Sequence, residues 1–287
     1  MLRGYIDAAI YVVTAAASFV FLKKLCNNID PFVIIFVVSV IATLHFNLVN
    51  IGQIKATYRV CLNNKLLFLL MSGSLGIDWV CGVYAAYFAD PFISLAVLFI
   101  FLAIIGFGQL FLESRKLYYL FSMLLLILSI FALYYGYTLT KSQYFGIAII
   151  LGAVGGISFY IYIASSYFLS TKLQVTNPQI LATRFLMLVL VAMMFISYKD
   201  LFHALSYNFL SLLAVAYGSS IIPVYYSQRA IVSLGSGLTS VLFSFVPPLT
   251  YFFNALYNHS FILNNLIVCL IITVALTLPN IIKYLKY

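Results

Sequence analysis

Asp78 and Arg184 both fall within long apolar runs of the chain. Asp78 lies 78 − 65 = 13 positions beyond Lys65, about 20 Å along a helix and so deep in a hydrocarbon layer about 30 Å thick. A charge at that depth costs about 2.5–3.5 kcal/mol on insertion scales, so it needs a partner, a cavity or a pathway. Asp78 reads either as a carboxylate facing a central cavity, where it binds a cationic group or exchanges a proton, or as a packing carboxylate satisfied by local hydrogen bonds. Arg184 stands 184 − 178 = 6 positions after Pro178, about 9 Å into its run, which leaves two readings open. Its long side chain can snorkel to the headgroups, or its planar fork can hold a carboxylate or phosphate and pair with Asp78 when the site is empty.

Other side chains join this pair. Trp79, the single tryptophan, either packs between helices or offers a wall for a cation or a flat ligand. His45 is a packing residue or a proton relay. Asp7 falls near the edge of the first run, where solvent is expected to reach it. Asp7, Tyr11, Thr14 and Ser18 share one helical face, as do Ser158, Tyr162, Ser165 and Ser166. Ser236, Ser240 and Ser244 form a third stripe, and Tyr217 and Ser220 add to a fourth. Small residues also serve close helix packing, and Gly152, Gly155 and Gly156 read that way. With the tyrosines included, the stripes predict a cavity lined from the first, third, sixth, eighth and ninth helices. Pro223 and the Pro247–Pro248 pair interrupt otherwise regular runs and are the hinge candidates.

The elements that position these groups follow from composition. Of 287 residues 65% are hydrophobic and 7% charged, with a mean hydropathy of +1.12, where soluble domains carry roughly 25% charged residues. The class is an all-α polytopic membrane protein. Apolar runs near 4–22, 31–51, 65–87, 92–112, 117–135, 144–168, 178–197, 208–227, 237–257 and 261–282 give about ten transmembrane helices. The breaks are short and turn-rich, as at Asp90-Pro91, Asn177-Pro178 and Asn258-His259-Ser260. With the N-terminus inside, Arg3, Lys55, Arg59, Lys65, Arg115, Lys116, Lys172, Arg229, Lys283 and Lys286 fall on one side. Lys23, Lys24, Lys141 and Lys199 fall on the other, so both termini are expected to be cytoplasmic. The first run is read as an uncleaved helix, because Phe19 to Leu22 prolong it beyond a signal sequence.

Several function classes drop out. The net charge of +9 reports topology and anionic lipid contact, and no nucleic-acid motif accompanies it. Cys26, Cys61, Cys81 and Cys269 show no paired spacing, so neither a metal cluster nor a disulfide framework is expected. Three scattered histidines, no paired carboxylates and no phosphate-binding glycine loop argue against an enzyme or an ATP-driven pump. No cofactor is expected, and any energy must come from gradients or exchange.

Asp30-Pro31 and Asn177-Pro178 lie 178 − 31 = 147 positions apart, each opening an apolar run. At offsets of 146–147 Tyr11 meets Ser158, Ser18 meets Ser165, Phe21-Leu22 meets Phe168-Leu169, Ser94 meets Ser240 and Glu113 meets His259. Two repeats of five spans, 1–140 and 141–287, are therefore expected. An odd number of crossings inverts the second relative to the first and places a binding site near the midplane.

Ten helices in two inverted five-helix repeats resemble the EamA-type branch of the drug/metabolite transporter superfamily over essentially the whole chain. The run Asn177 to Arg184, the small residues leading to Pro247-Pro248, and Glu113 before a basic turn carry the resemblance. The chain departs from it at Val37, which matches Arg184 in the first repeat, and at His259, which stands at the second acidic corner. The resemblance implies a bacterial inner-membrane transporter of small metabolites or drugs, with amino-acid-like solutes the most frequent cargo. The expected activity is secondary transport, by export or exchange, of a small polar or amphipathic metabolite by alternating access. A lipid-carrier flippase and a non-transport membrane scaffold are the alternatives. A small-molecule substrate and the bilayer are the expected partners, no nucleic acid is, and a homodimer stays open.

Overall fold

A computed structural model describes residues 2–88, 90–138, 145–259 and 261–285. Ten helices among them are long and apolar enough to cross a membrane. They run Leu2–Cys26, Pro31–Val49, Lys65–Phe88, Phe92–Ser114, Tyr118–Gly136, Gly146–Lys172, Asn177–Phe195, Tyr198–Leu234, Ser236–Asn258 and Leu263–Lys283. We number them as spans one to ten. The protein is an all-α polytopic membrane protein, as composition predicts. The expected boundary at 140/141, together with Lys141 and Lys286, lies outside the described residues.

Local chemistry sets the helix starts. Asp30 caps span two, accepting from the N–H of Phe32 at 2.8 Å with Pro31 at the first helical position, and Asp90 caps span four through Phe92 N–H at 2.9 Å. In both, proline gives up a donor that the first turn could not have used. Asn177 does not repeat the role of Asp30. Thr176 and Gln179 form the capping box of span seven, and Asn177 is left free to bond elsewhere. Spans four and nine both stop at a left-handed residue, Arg115 (φ 55°) and His259 (φ 50°).

Three spans are not continuous helices. Span seven breaks at Arg184-Phe185, between helices Asn177–Thr183 and Leu186–Phe195. Its freed groups are met by neighbours: Asn47 Nδ2 donates to the Ala182 carbonyl at 2.9 Å, and Ser72 Oγ accepts from Met187 N–H at 3.0 Å. Irregular backbone at membrane depth survives only with such partners. Span eight carries a π-helical segment, Ala216–Ile221, directly before Pro223, whose missing donor is the local reason for the wider turn. Span nine breaks at Ser244-Phe245, just ahead of Pro247-Pro248. Two further departures from expectation concern lengths. Span eight has 37 residues, about 55 Å, which is longer than a core of about 30 Å is thick. It also continues to Leu234, placing Arg229 within a helix where a loop cation was expected. A short amphipathic helix, Ile54–Asn63, joins spans two and three and exposes Lys55 and Arg59, the pattern of a helix lying in the interface.

The neighbours form a regular pattern. Span three packs along span six, and span eight packs along span one. Exchanging spans one to five for six to ten likewise turns the four–six contact into nine–one, two–eight into seven–three, and four–five into nine–ten. The pairs two–seven, four–nine and five–ten map onto themselves. Apolar area gives no drive to associate helices in lipid, so close backbone approach must do it. At Gly156 a Cβ would collide with the Leu98 carbonyl oxygen, and a Cβ at Gly152 would lie 2.8 Å from Val97. These glycines let spans four and six touch.

Candidate functional site

Spans one, three, four, six, seven and eight surround a cavity of about 50 Å³. Tyr11, Ala15 and Phe19 line it from span one, Asp78 and Trp79 from span three, and Arg184 from span seven. Leu98 and Phe99, Phe159, and Ser219 and Ser227 close it from spans four, six and eight. Span nine, expected in the lining, is held back by Phe243, whose ring packs on Tyr11 at 3.9 Å. Spans four and seven take its place.

Arg184 does not snorkel. It is 2% exposed, and its guanidinium carbon lies 4.5 Å from the centre of the Tyr162 ring and 5.0 Å from that of Phe185. The break at Arg184-Phe185 allows this, since neighbouring residues of a continuous helix point about 100° apart. Nε and Nη1 of Arg184 are buried without a hydrogen-bond partner. Asp78 faces the same cavity and is partly exposed there. The two are not bridged: among the described residues the ion pair within 4.0 Å is Arg229 with Asp7. Trp79 is fixed by an edge-to-face contact with Phe185 at 6.1 Å, so Asp78, Trp79 and Arg184 form one wall.

The site therefore presents a carboxylate and a guanidinium of opposite sign, each lacking a protein counter-charge in contact, among aromatic faces. Unpaired buried N–H groups cost about 1–3 kcal/mol each. A ligand anion that takes one edge of the fork satisfies one of the two and recovers part of that energy through charge-assisted bonds. The cavity as it stands is small. At about 10–15 Å³ per water it holds a few water molecules, whereas ligand pockets usually span about 300–1,000 Å³.

The structure brings Tyr11, Asp78, Trp79 and Arg184 together and sets the other sequence candidates apart. Tyr162 is fully buried behind Arg184, where its hydroxyl bonds Gln228 Oε1 at 3.2 Å. Ser158 is buried outside the lining. Ser240 bonds the Ser236 carbonyl and packs against Gly106. Tyr217 is 40% exposed and touches His45, its hydroxyl 3.5 Å from Nδ1. That pair lies away from the cavity, which removes His45 from direct contact with a ligand there. Asp7 is not solvated as expected: it is 3% exposed and its Oδ2 lies 3.1 Å from Arg229 Nε. Of the hinge candidates, Pro223 and Pro247-Pro248 each adjoin an irregular segment. Sequence reasoning missed Phe159, Ser227 and Gln228; the polar Ser227-Gln228-Arg229 run inside an apolar stretch was the available signal.

No known family model matches the chain, and no curated protein does. One solved crystal structure, described only as that of a protein, is similar over 98% of this chain and 97% of its own length, with a TM-score of 0.66 at 14% identity. At that identity the likeness shows the fold alone, one that a crystallised chain adopts over nearly its whole length.

Proposed function

We propose that this protein is a secondary transporter that moves a small polar or amphipathic metabolite through the cavity by alternating access. The observation that carries the reading is Arg184, a buried guanidinium with two unbonded N–H groups in the same cavity as an unbridged Asp78. A solute bearing both an anionic and a cationic group, as amino acids do, satisfies both residues. The exchange symmetry of the helix contacts supports two five-span repeats, and five crossings each leave them inverted. The small cavity fits a state closed around its site, which must widen to load.

The same reading places both termini in the cytoplasm, on the cation-rich side, and the protein in a bacterial inner membrane as an EamA-type member of the drug/metabolite transporters. Uptake from a pooled metabolite library into proteoliposomes, read by mass spectrometry with and without a proton gradient, tests it. A zwitterionic solute accumulated by the parent and not by Arg184→Met supports the reading. Folded protein that moves no soluble metabolite but flips a labelled polyprenyl-phosphate sugar replaces it with the lipid-carrier alternative.

A further inference from the structure

Ser227, Gln228 and Arg229 occupy consecutive positions of span eight and face three different surroundings. Ser227 lines the central cavity. Gln228 is fully buried, accepting from Ser166 Oγ at 2.7 Å and from Tyr162 at 3.2 Å, with its Nε2 3.5 Å from both Ser170 Oγ and Asn177 Oδ1. Arg229 turns toward span one and meets Asp7. Beyond this level lies a second depression of about 430 Å³, lined by Arg3, Asp7, Asn177, Arg229 and Ser233 among others, at the end of the bundle where spans one and seven begin. Along spans one and seven the cavity and the depression lie one helical turn apart, Asp7 and Leu181 lining the depression and Tyr11 and Arg184 the cavity, so about one layer of side chains separates the site from that surface.

We propose that Gln228 and Arg229 form the movable seal between the cavity and the N-terminal end of the bundle. The chemistry of the layer suits a contact that must break repeatedly. Its links are polar and mostly long, and the Asp7–Arg229 pair approaches to 3.1 Å while Asp7 Oδ2 makes no aligned hydrogen bond. The neutral bonds of the Gln228 layer contribute about 0.5–1.5 kcal/mol each, and the Asp7–Arg229 contact about 1.5–3 kcal/mol. A ligand with modest differential affinity for the open state can therefore part them. Spans four and six, with Gly156 seated on the Leu98 carbonyl, lack that freedom. The inner layer is also attached to the charged wall, because the Tyr162 that bonds Gln228 carries Arg184 on its ring.

The seal rests on the transport reading only for what opens it, so its test uses no solute. Cys26, Cys61, Cys81 and Cys269 are replaced by serine or alanine, and Ser227→Cys is introduced. A membrane-impermeant maleimide is then applied from the N-terminal side of oriented vesicles. With the seal intact, the thiol introduced by Ser227→Cys reacts at least 10-fold more slowly than a Ser233→Cys control in the depression, where Ser233 is exposed. Adding Gln228→Ala and Arg229→Gln raises the labelling rate of the cavity thiol by 10-fold or more, and the charge exchange Asp7→Arg with Arg229→Asp keeps it low. An unchanged rate in the Gln228→Ala, Arg229→Gln protein overturns the proposal, as does fast labelling with the seal intact. So does equal acceleration at Ala148→Cys, a buried position in span six, which would mean general loosening. A protein labelled as expected that carries no solute refutes the transport reading and leaves the seal standing.

Discussion

Replacing Arg184 by methionine should make the protein more stable and less active, and the sign of the first effect separates a ligand site from a structural one. The wild-type guanidinium buries two unbonded N–H groups, a penalty of about 2–6 kcal/mol at about 1–3 kcal/mol each. Against this stand two ring contacts, with Tyr162 and Phe185, worth about 0.5–2 kcal/mol each. Methionine keeps much of the packing without the charge, so a net gain of about 1–2 kcal/mol is expected. Denaturation in detergent can follow it through Trp79, the single tryptophan, which sits edge-on to Phe185 beside the replaced side chain. Two charge-assisted bonds to a ligand anion, about 1.5–3 kcal/mol each, correspond to a loss of about 100-fold or more in affinity. Ligand at 100 times the parent's dissociation constant should stabilise the parent by about 2.7 kcal/mol and the variant by about 0.4 kcal/mol or less. A destabilisation of about 2 kcal/mol or more, or uptake at the parental rate, would refute the reasoning and make Arg184 a packing residue.

Asp78→Asn keeps the shape of its side chain and removes the negative pole of the cavity. Uptake of a zwitterion should fall about 10-fold or more, and a proton gradient should cease to matter if Asp78 carries the proton; pH-insensitive transport by the parent would end that coupling idea. Gly156→Ala should destabilise by about 1–3 kcal/mol, because its Cβ meets the Leu98 carbonyl oxygen. Gly73→Ala, with open space around the new atom, should stabilise by about 0.5–1 kcal/mol in the same melt. Asp90, ahead of span four, has its carboxyl pushed above the usual range by burial, against the pull of its bond from Phe92 N–H and of Lys23. A raised folded pKa means the native state binds the extra proton, so stability falls as pH rises from the ordinary carboxylate value through the folded one. Asp90→Asn, which still caps, should therefore gain on the parent at neutral pH, with the gain shrinking toward pH 4 in melts across that range.

The sequence alone determined the solvent and the number of crossings. Apolar runs of about 20 residues have no other stable home than a bilayer, and Asp30-Pro31 and Asp90-Pro91 mark helix starts because aspartate and proline each meet a need of the first turn. It also picked out Tyr11, Asp78, Trp79 and Arg184, since charge and polarity at depth are conspicuous against hydrocarbon. Tertiary structure decided which polar faces meet. Serine stripes look alike whether they line water or pack helices, and Ser240 bonding its own backbone beside Gly106 could not be told from a cavity residue by spacing. The break at Arg184-Phe185 carries no proline and no glycine; it exists because Asn47 and Ser72, from other spans, take up the freed backbone groups. That break turns a side chain within snorkelling distance of the surface onto the Tyr162 ring instead. The same holds at Asp7, whose partner Arg229 is 222 positions away in sequence and lies beside it because span eight packs along span one. Residue type fixes what a group can do, while long-range packing fixes what it faces, and in a membrane the second depends on close backbone contacts that leave little trace in hydropathy.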